Sequence, residues 1–371
     1  MNVESQTSYR TDKTTGVRVL FTGQYWPGAN TLYIGWAFEQ CGAIVRWLND
    51  TTLWPGWTGV KGRIARRLLR PLIEAEWNRQ LLELVANFRP DLVYITNATF
   101  CWPRTLETIR KQSIPLMCFY HDVLWRDWPG SRFSENISYF DLVATTRHWQ
   151  EAEFKAAGAR AVCIVRFGYE PLVHRPMDVE PMAFERYGAD VTFIGTYEAH
   201  RAAELTWLVE ADFPYQFRLW GGYWDRLPPD SPVRKYWQGR LIHDQEIPVI
   251  YAASKVALHW VGWEPHGKDP ALRKGDQHNS RTFQIAACGG AMMLAQRTDE
   301  HRRFFTEDVE AVYFDDVREL REKLAYWLDP ARDEARKRIA AAARVRCLAE
   351  DYSYVPVVRS FLEHFGLPIV T

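Results

Sequence analysis

Short apolar runs recur along this chain at the spacing of strand–helix–strand units, and this alternation restricts the fold more than any other feature. VRVLFT (17–22), AIVRWL (43–48), DLVYIT (91–96), PLMCFY (115–120), DLVATT (141–146) and AVCIVRFG (161–168) are almost continuously apolar. A strand with one face in water alternates apolar and polar residues, whereas a strand apolar throughout is covered on both faces, as in a parallel sheet flanked by helices. The intervening segments supply those helices, over 31–42, 61–87, 103–111 and 147–157. The second of them is long and amphipathic, and Pro71 can break it.

The stretch 169–182, YEPLVHRPMDVEPM, is rich in proline and charge and reads as a linker. The alternation then resumes with DVTFIGT (190–196), a helix over 198–211, YQFRLWG (215–221), a helix over 245–253 and KVALHWV (255–261). A strand over 291–295, AVYFDD (311–316) and helices over 317–328, 331–349 and 354–365 complete it. At 371 residues the chain exceeds one ordinary core. The expected fold is α/β, two Rossmann-like doubly wound domains facing across a cleft. We expect a tail at 1–16, a first domain at 17–170, a second at 171–353, and a C-terminal helix at 354–371 that packs back on the first.

The 46 basic and 46 acidic residues cancel, which argues against nucleic acid as a partner. Six cysteines are scattered without a C-x-x-C pair, as buried free thiols in a reducing cytoplasm would be. The polar N-terminus has no signal-peptide core, and no run approaches the roughly 18–20 apolar residues of a membrane span. The expectation is a cytoplasmic protein. No H-x-x-x-H spacing and no D-x-D sequence occurs, so no metal is expected.

Chemistry concentrates in DQHNSRTFQIAACGGAMMLA (276–295), which reads as loop, short helix, paired glycines and buried strand. Asn279 or Ser280 can cap the helix, and the paired glycines Gly289-Gly290 can end it in a left-handed conformation. A helix start presents backbone N–H groups and the positive end of its dipole, which suits a phosphate. Arg281 adds charge to that first turn, with surface ion pairing as its ordinary alternative. In the first half, ligands of a parallel sheet gather beyond the carboxyl ends of the strands. That rule puts the loop GQYWPGAN (23–30) and His121-Asp122 on one rim. His121 can equally be a structural histidine, and Asp122 can orient it or act as a base. Within residues 52–77, the part through Arg70 combines two tryptophans with five basic residues, and the stretch can rest on an anionic membrane surface, or can cover the sheet with a solvated basic face.

FGYEPLVHRP (167–176), DVTFIGTYEAHR (190–201), FRLWGGYW (217–224), IPVIYAASKVALHW (247–260), NSRTFQIAACGGAMML (279–294) and EAVYFDDVRELREKLAYWL (310–328) together resemble the GT-B glycosyltransferases, in particular the CgeB-like spore maturation branch. The resemblance covers most of the second half. It implies a nucleotide-diphosphate sugar in the second domain, a glycan or lipid-linked acceptor in the first, and no cofactor. Asp276 and Gln284 stand where that resemblance implies two glutamates. Arg201, Lys255 and Arg281 are the implied diphosphate contacts, with Asn279, Ser280, Thr282 and Gln284 beside them. His121, Asp122 and Asp276 are the candidate catalytic group, and Gln24, Tyr25, Trp26 and Asn30, read from their loop and not from the resemblance, the candidate acceptor contacts, with interdomain packing the alternative for Tyr25 and Trp26. A non-catalytic nucleotide-sugar-binding protein and a nucleotide-sugar epimerase are the alternatives with the same fold.

Overall fold

The computed structural model describes residues 16–53, 59–122, 131–210, 212–262 and 275–369. The chain divides into two compact units, residues 1–166 with 354–371, and residues 167–353.

Unit 1 runs β1 (Arg18–Gly23), α1 (Asn30–Gln40), β2 (Ile44–Asn49), α2 (Gly59–Phe88), β3 (Leu92–Thr96), α3 (Pro103–Arg110) and β4 (Leu116–Tyr120). It continues with α4 (Phe133–Asn136), β5 (Leu142–Thr145), α5 (His148–Ala156) and β6 (Val162–Ile164). Unit 2 holds α6 (Pro181–Tyr187), β7 (Ala189–Ile194), α7 (Ala199–Val209), β8 (Phe217–Trp220), α8 (Ile247–Ala252) and β9 (Ser254–His259). Then come α9 (Ser280–Cys288), β10 (Met292–Gln296), α10 (Asp299–Phe304), β11 (Val312–Phe314), α11 (Val317–Trp327) and α12 (Asp333–Ala349). The last helix, α13 (Val355–His364), belongs to unit 1.

Both sheets are parallel, in the orders β2-β1-β3-β4-β5-β6 and β11-β10-β9-β7-β8. Leu20, Val93, Ile95, Leu116 and Val143 face one core of unit 1, and Val191, Leu258, Met292, Leu294 and Val312 that of unit 2. Strands this apolar have no face to offer water, so helices must cover both sides, as the sequence pattern requires.

Three local features differ from expectation. Pro71 does not break α2, which is one helix of 30 residues. Below Pro71 the helix is anchored by Ile73, Trp77, Leu81 and Val85, all buried, and that packing outweighs one missing backbone hydrogen bond. The strand expected over 161–168 forms ladder pairs only at Val162–Ile164. The stretch read as a linker carries buried polar anchors: Glu170 Oε1 accepts the Leu172 N–H at 3.1 Å, and His174 lies against Asp244 at 3.4 Å.

Candidate functional site

In unit 2 the functional side chains gather where β7 and β9 end and α7 and α9 begin. Arg201, on the first turn of α7, is 6% exposed. Its Nη2 donates to the Trp260 carbonyl and its Nη1 to the Thr196 carbonyl, each at 3.3 Å, and Glu198 Oε1 lies 2.8 Å from Nη1. Gly262 separates it from Asp276: a Cβ built there would stand 2.6 Å from Asp276 Oδ2 and 3.9 Å from Arg201 Nη2. The Asp276 N–H donates to the Gly262 carbonyl at 2.8 Å, which fixes the loop before α9. Arg201 Nε is buried and has no hydrogen-bond partner among the described residues. Burial pulls this guanidinium down from its ordinary range, opposed by Glu198, Asp276 and Glu204. A buried cation with an unused donor is an unfinished hydrogen-bond set.

Asn279 caps α9, its Oδ1 accepting the Arg281 N–H at 2.9 Å, and Gly289 ends the helix at φ 64°. Ser280 opens the helix, half-buried. The Thr282 hydroxyl is committed inward, 3.0 Å from both His259 Nε2 and His301 Nε2. His301 Nδ1 lies 2.8 Å from the Gln296 carbonyl and must be the protonated nitrogen, so its Nε2 accepts from Thr282, which in turn accepts from His259. Burial holds both imidazoles neutral, pulling His301 down to about 4 and His259 well below its usual range. Thr282 thus secures the start of α9 to β9 and α10 instead of facing a ligand. Gln284 is likewise buried, its side-chain oxygen accepting from Arg281 Nη1, and Arg281 also approaches Asp244 at 4.0 Å.

Lys255 does not join this group. It lies at the amino end of β9 and pairs with Asp190 at 2.7 Å, on the sheet edge opposite Arg201 and Asp276. Beside Asp276 a pocket of about 360 Å³ is lined by Gln277, Gln296, Arg297, Asp299 and Arg302 among others. The Gln296 Oε1 there is buried without a partner among the described residues. Sequence reading missed this acceptor because its setting depends on the β10–α10 turn. Among the described residues no cluster of three His, Cys, Asp or Glu could hold a metal ion.

In unit 1 a pocket of about 450 Å³ opens at the carboxyl edge of the sheet, within the size range of small-molecule sites. Gln24, Trp26, Asn30, His121 and Asp122 all line it. Tyr25 does not: its ring packs edge-on against Trp47, with centroids 4.8 Å apart. Asn30 serves packing too, its Oδ1 accepting from the Tyr354 hydroxyl at 3.0 Å. Asn97, left-handed at φ 54°, ties the rim together. Its Oδ1 accepts the His121 N–H at 3.1 Å and its Nδ2 donates to Asp122 Oδ2 at 2.8 Å. Arg147 Nη1 donates to the His121 carbonyl at 2.8 Å.

A second carboxyl lines this pocket. Asp50, just past the end of β2, accepts from Trp77 Nε1 at 2.7 Å. Burial pushes it up to about 7 against that hydrogen bond. Its position directly after a strand end was the available sequence signal. Its partner Trp77 lies 27 residues away, which was not.

Residues 199–363 match the family model described as glycosyl transferase-like. A search of curated proteins gave no match. Sucrose-phosphate synthase from Thermosynechococcus elongatus superposes with a TM-score of 0.66 at 13% identity, covering 94% of this chain and 98% of that one. HepE from Anabaena in complex with UDP-glucose gives 0.58 at 14% identity, over 94% and 99%. A putative UDP-N-acetylglucosamine 2-epimerase from Listeria monocytogenes gives 0.54 at 11%, over 95% and 97%. Identities this low speak to fold alone. The two parallel-sheet, Rossmann-like units are those of the GT-B fold.

Proposed function

We propose that this chain is a glycosyltransferase that moves a sugar from a nucleotide-diphosphate donor to a hydroxyl of a glycan or lipid-linked acceptor. The observation that carries this reading is the buried Arg201 with its unused Nε donor, beside Asp276 and the start of α9. A diphosphate oxygen would complete that hydrogen-bond set, and the guanidinium would stabilise the charge that develops on the leaving group. The glycosyl transferase-like match over 199–363 contains all of these residues. Asp276, on the other side of Gly262, suits a sugar hydroxyl.

In this reading the unit 1 pocket takes the acceptor. The bond from the anomeric carbon to the diphosphate oxygen breaks, one to the acceptor oxygen forms, and a base takes the acceptor proton. Asp122, held by Asn97, and His121 are the candidate bases. The reaction so drawn uses no metal and no cofactor, because Arg201 and the helix start carry the diphosphate charge. We place the chain in the CgeB-like branch and in the cytoplasm on its sequence pattern.

Incubation with a panel of nucleotide sugars, with and without glycan or lipid acceptors, tests the reaction through release of free nucleotide. Turnover of one donor, raised by one acceptor and abolished in Asp122→Asn or His121→Ala, supports transfer. Binding without turnover makes the chain a nucleotide-sugar-binding protein, and appearance of an isomeric sugar makes it an epimerase.

A further inference from the structure

Helix α2 carries an exposed apolar stripe. Ile64, Leu68 and Leu72 recur every four residues and are 54%, 71% and 66% exposed. Pro71 is exposed beside them. The same stretch of helix concentrates positive charge in a chain whose charges cancel overall. Lys61, Arg63, Arg66, Arg67 and Arg70 precede the first acid, Glu74. Arg70 is engaged by Glu74 at 2.7 Å, whereas Lys61 and Arg67 are exposed and make no ion pair with any described residue. No acid occupies the first turn of the helix.

A cation in the first turn, as Lys61 is, opposes the macrodipole, so its charge does not serve the helix. From these features we infer that the first half of α2 is a docking surface for an anionic lipid bilayer. Leu68, Leu72 and Ile64 would enter the acyl boundary while Lys61 and Arg67 reach the headgroups. A second copy of this chain fits poorly, because a two-fold contact through this face would set the same cations against each other. Nucleic acid gives no use for the leucine stripe. The surface is independent of the transfer reaction.

Sedimentation of the full chain with vesicles tests it. Binding is expected with phosphatidylcholine containing roughly one-third phosphatidylglycerol and not with phosphatidylcholine alone, and it falls as salt shortens the screening length to about 3 Å near 1 M. Neutralising Lys61 and Arg67 together (K61Q/R67Q) should weaken partition about thirtyfold, as two factors of about five. The pair Leu68→Ser with Leu72→Ser should weaken it at least roughly tenfold. These side chains are exposed, so the thermal midpoint serves as the folding control. Absence of vesicle binding, equal binding to neutral vesicles, or unchanged binding by both double variants overturns the proposal. A dimer that the leucine variants dissolve, without vesicle binding, reassigns the face to self-association. Binding to poly-glutamate without vesicle binding reassigns it to an acidic protein.

Discussion

Arg201 sits where its charge is expensive and where one of its N–H groups goes unused, an arrangement that folding alone would not favour. If the missing partner is a diphosphate, Arg201→Met weakens nucleotide-sugar affinity by about tenfold or more, the scale of a lost charge-assisted hydrogen bond. Calorimetry with a bound donor reads this; an unchanged affinity removes Arg201 from the site. Asp50 makes a prediction of opposite character. Its folded pKa of about 7 lies above the ordinary carboxyl value, so between roughly pH 4 and 7 the folded state holds a proton that the unfolded state has lost. Its contribution to stability is therefore present at low pH and lost as pH rises through 7. Asp50→Asn should raise the melting midpoint relative to the parent at pH 8 and leave the difference near zero at pH 4; the reverse trend would mean the carboxyl is stabilised ionised. Arg201 and Asp276 were singled out in the sequence by the motifs around them, and the structure brings them together on either side of Gly262. Asp50 and Asn97 were not, since their roles arise from Trp77, His121 and Asp122 brought in by tertiary folding. Lys255 was misplaced despite a readable cue: it starts its strand, and ligands collect where parallel strands end.

Elements were more legible than contacts. Near-continuous apolar runs forced a parallel sheet in each half, and the Asn279 and Gly289 signals marked the two ends of α9. Where local propensity and packing compete, sequence cannot decide, and α2 is the case in point. Proline inside a helix costs about 3 kcal/mol, enough to end a solvent-exposed helix. Here Ile73, Trp77, Leu81 and Val85 hold the following turns on the core, each worth about 1.5–3 kcal/mol when buried. The helix therefore tolerates Pro71 at a standing cost. Pro71→Ala restores the amide that donates one turn back and should stabilise unit 1 by about 1–3 kcal/mol, read from denaturant midpoints. A destabilised variant would show that the proline is needed to seat Trp77 against Asp50.

The chain passes out of unit 1 after Arg166, builds unit 2 entire, and returns at Tyr354 to supply one last helix. That helix is structural in a strong sense. Val358, Phe361 and Leu362 are fully buried, Val357 nearly so, and Phe361 lies 6.5 Å from Tyr94 and 6.4 Å from Phe119 between ring centroids. Tyr354 adds its hydrogen bond to Asn30. Four buried apolar side chains at about 1.5–3 kcal/mol each amount to roughly 6–12 kcal/mol, the order of a whole domain's stability of about 5–15 kcal/mol. A chain ending at Ser353 should consequently lose folded unit 1, β1 through β6, while unit 2 stays folded. Unit 2 holds its five parallel strands and its own core within 167–353. The fragment 167–353 alone should melt cooperatively and, if the donor reading holds, be stabilised by nucleotide in proportion to RT ln(1 + [L]/Kd). Amide spectra of the two chains separate the outcomes. Dispersed unit 1 resonances in the truncated chain would mean that α13 caps a fold already stable without it, and a collapsed spectrum for 167–353 would mean that unit 2 depends on its neighbour despite holding a complete sheet.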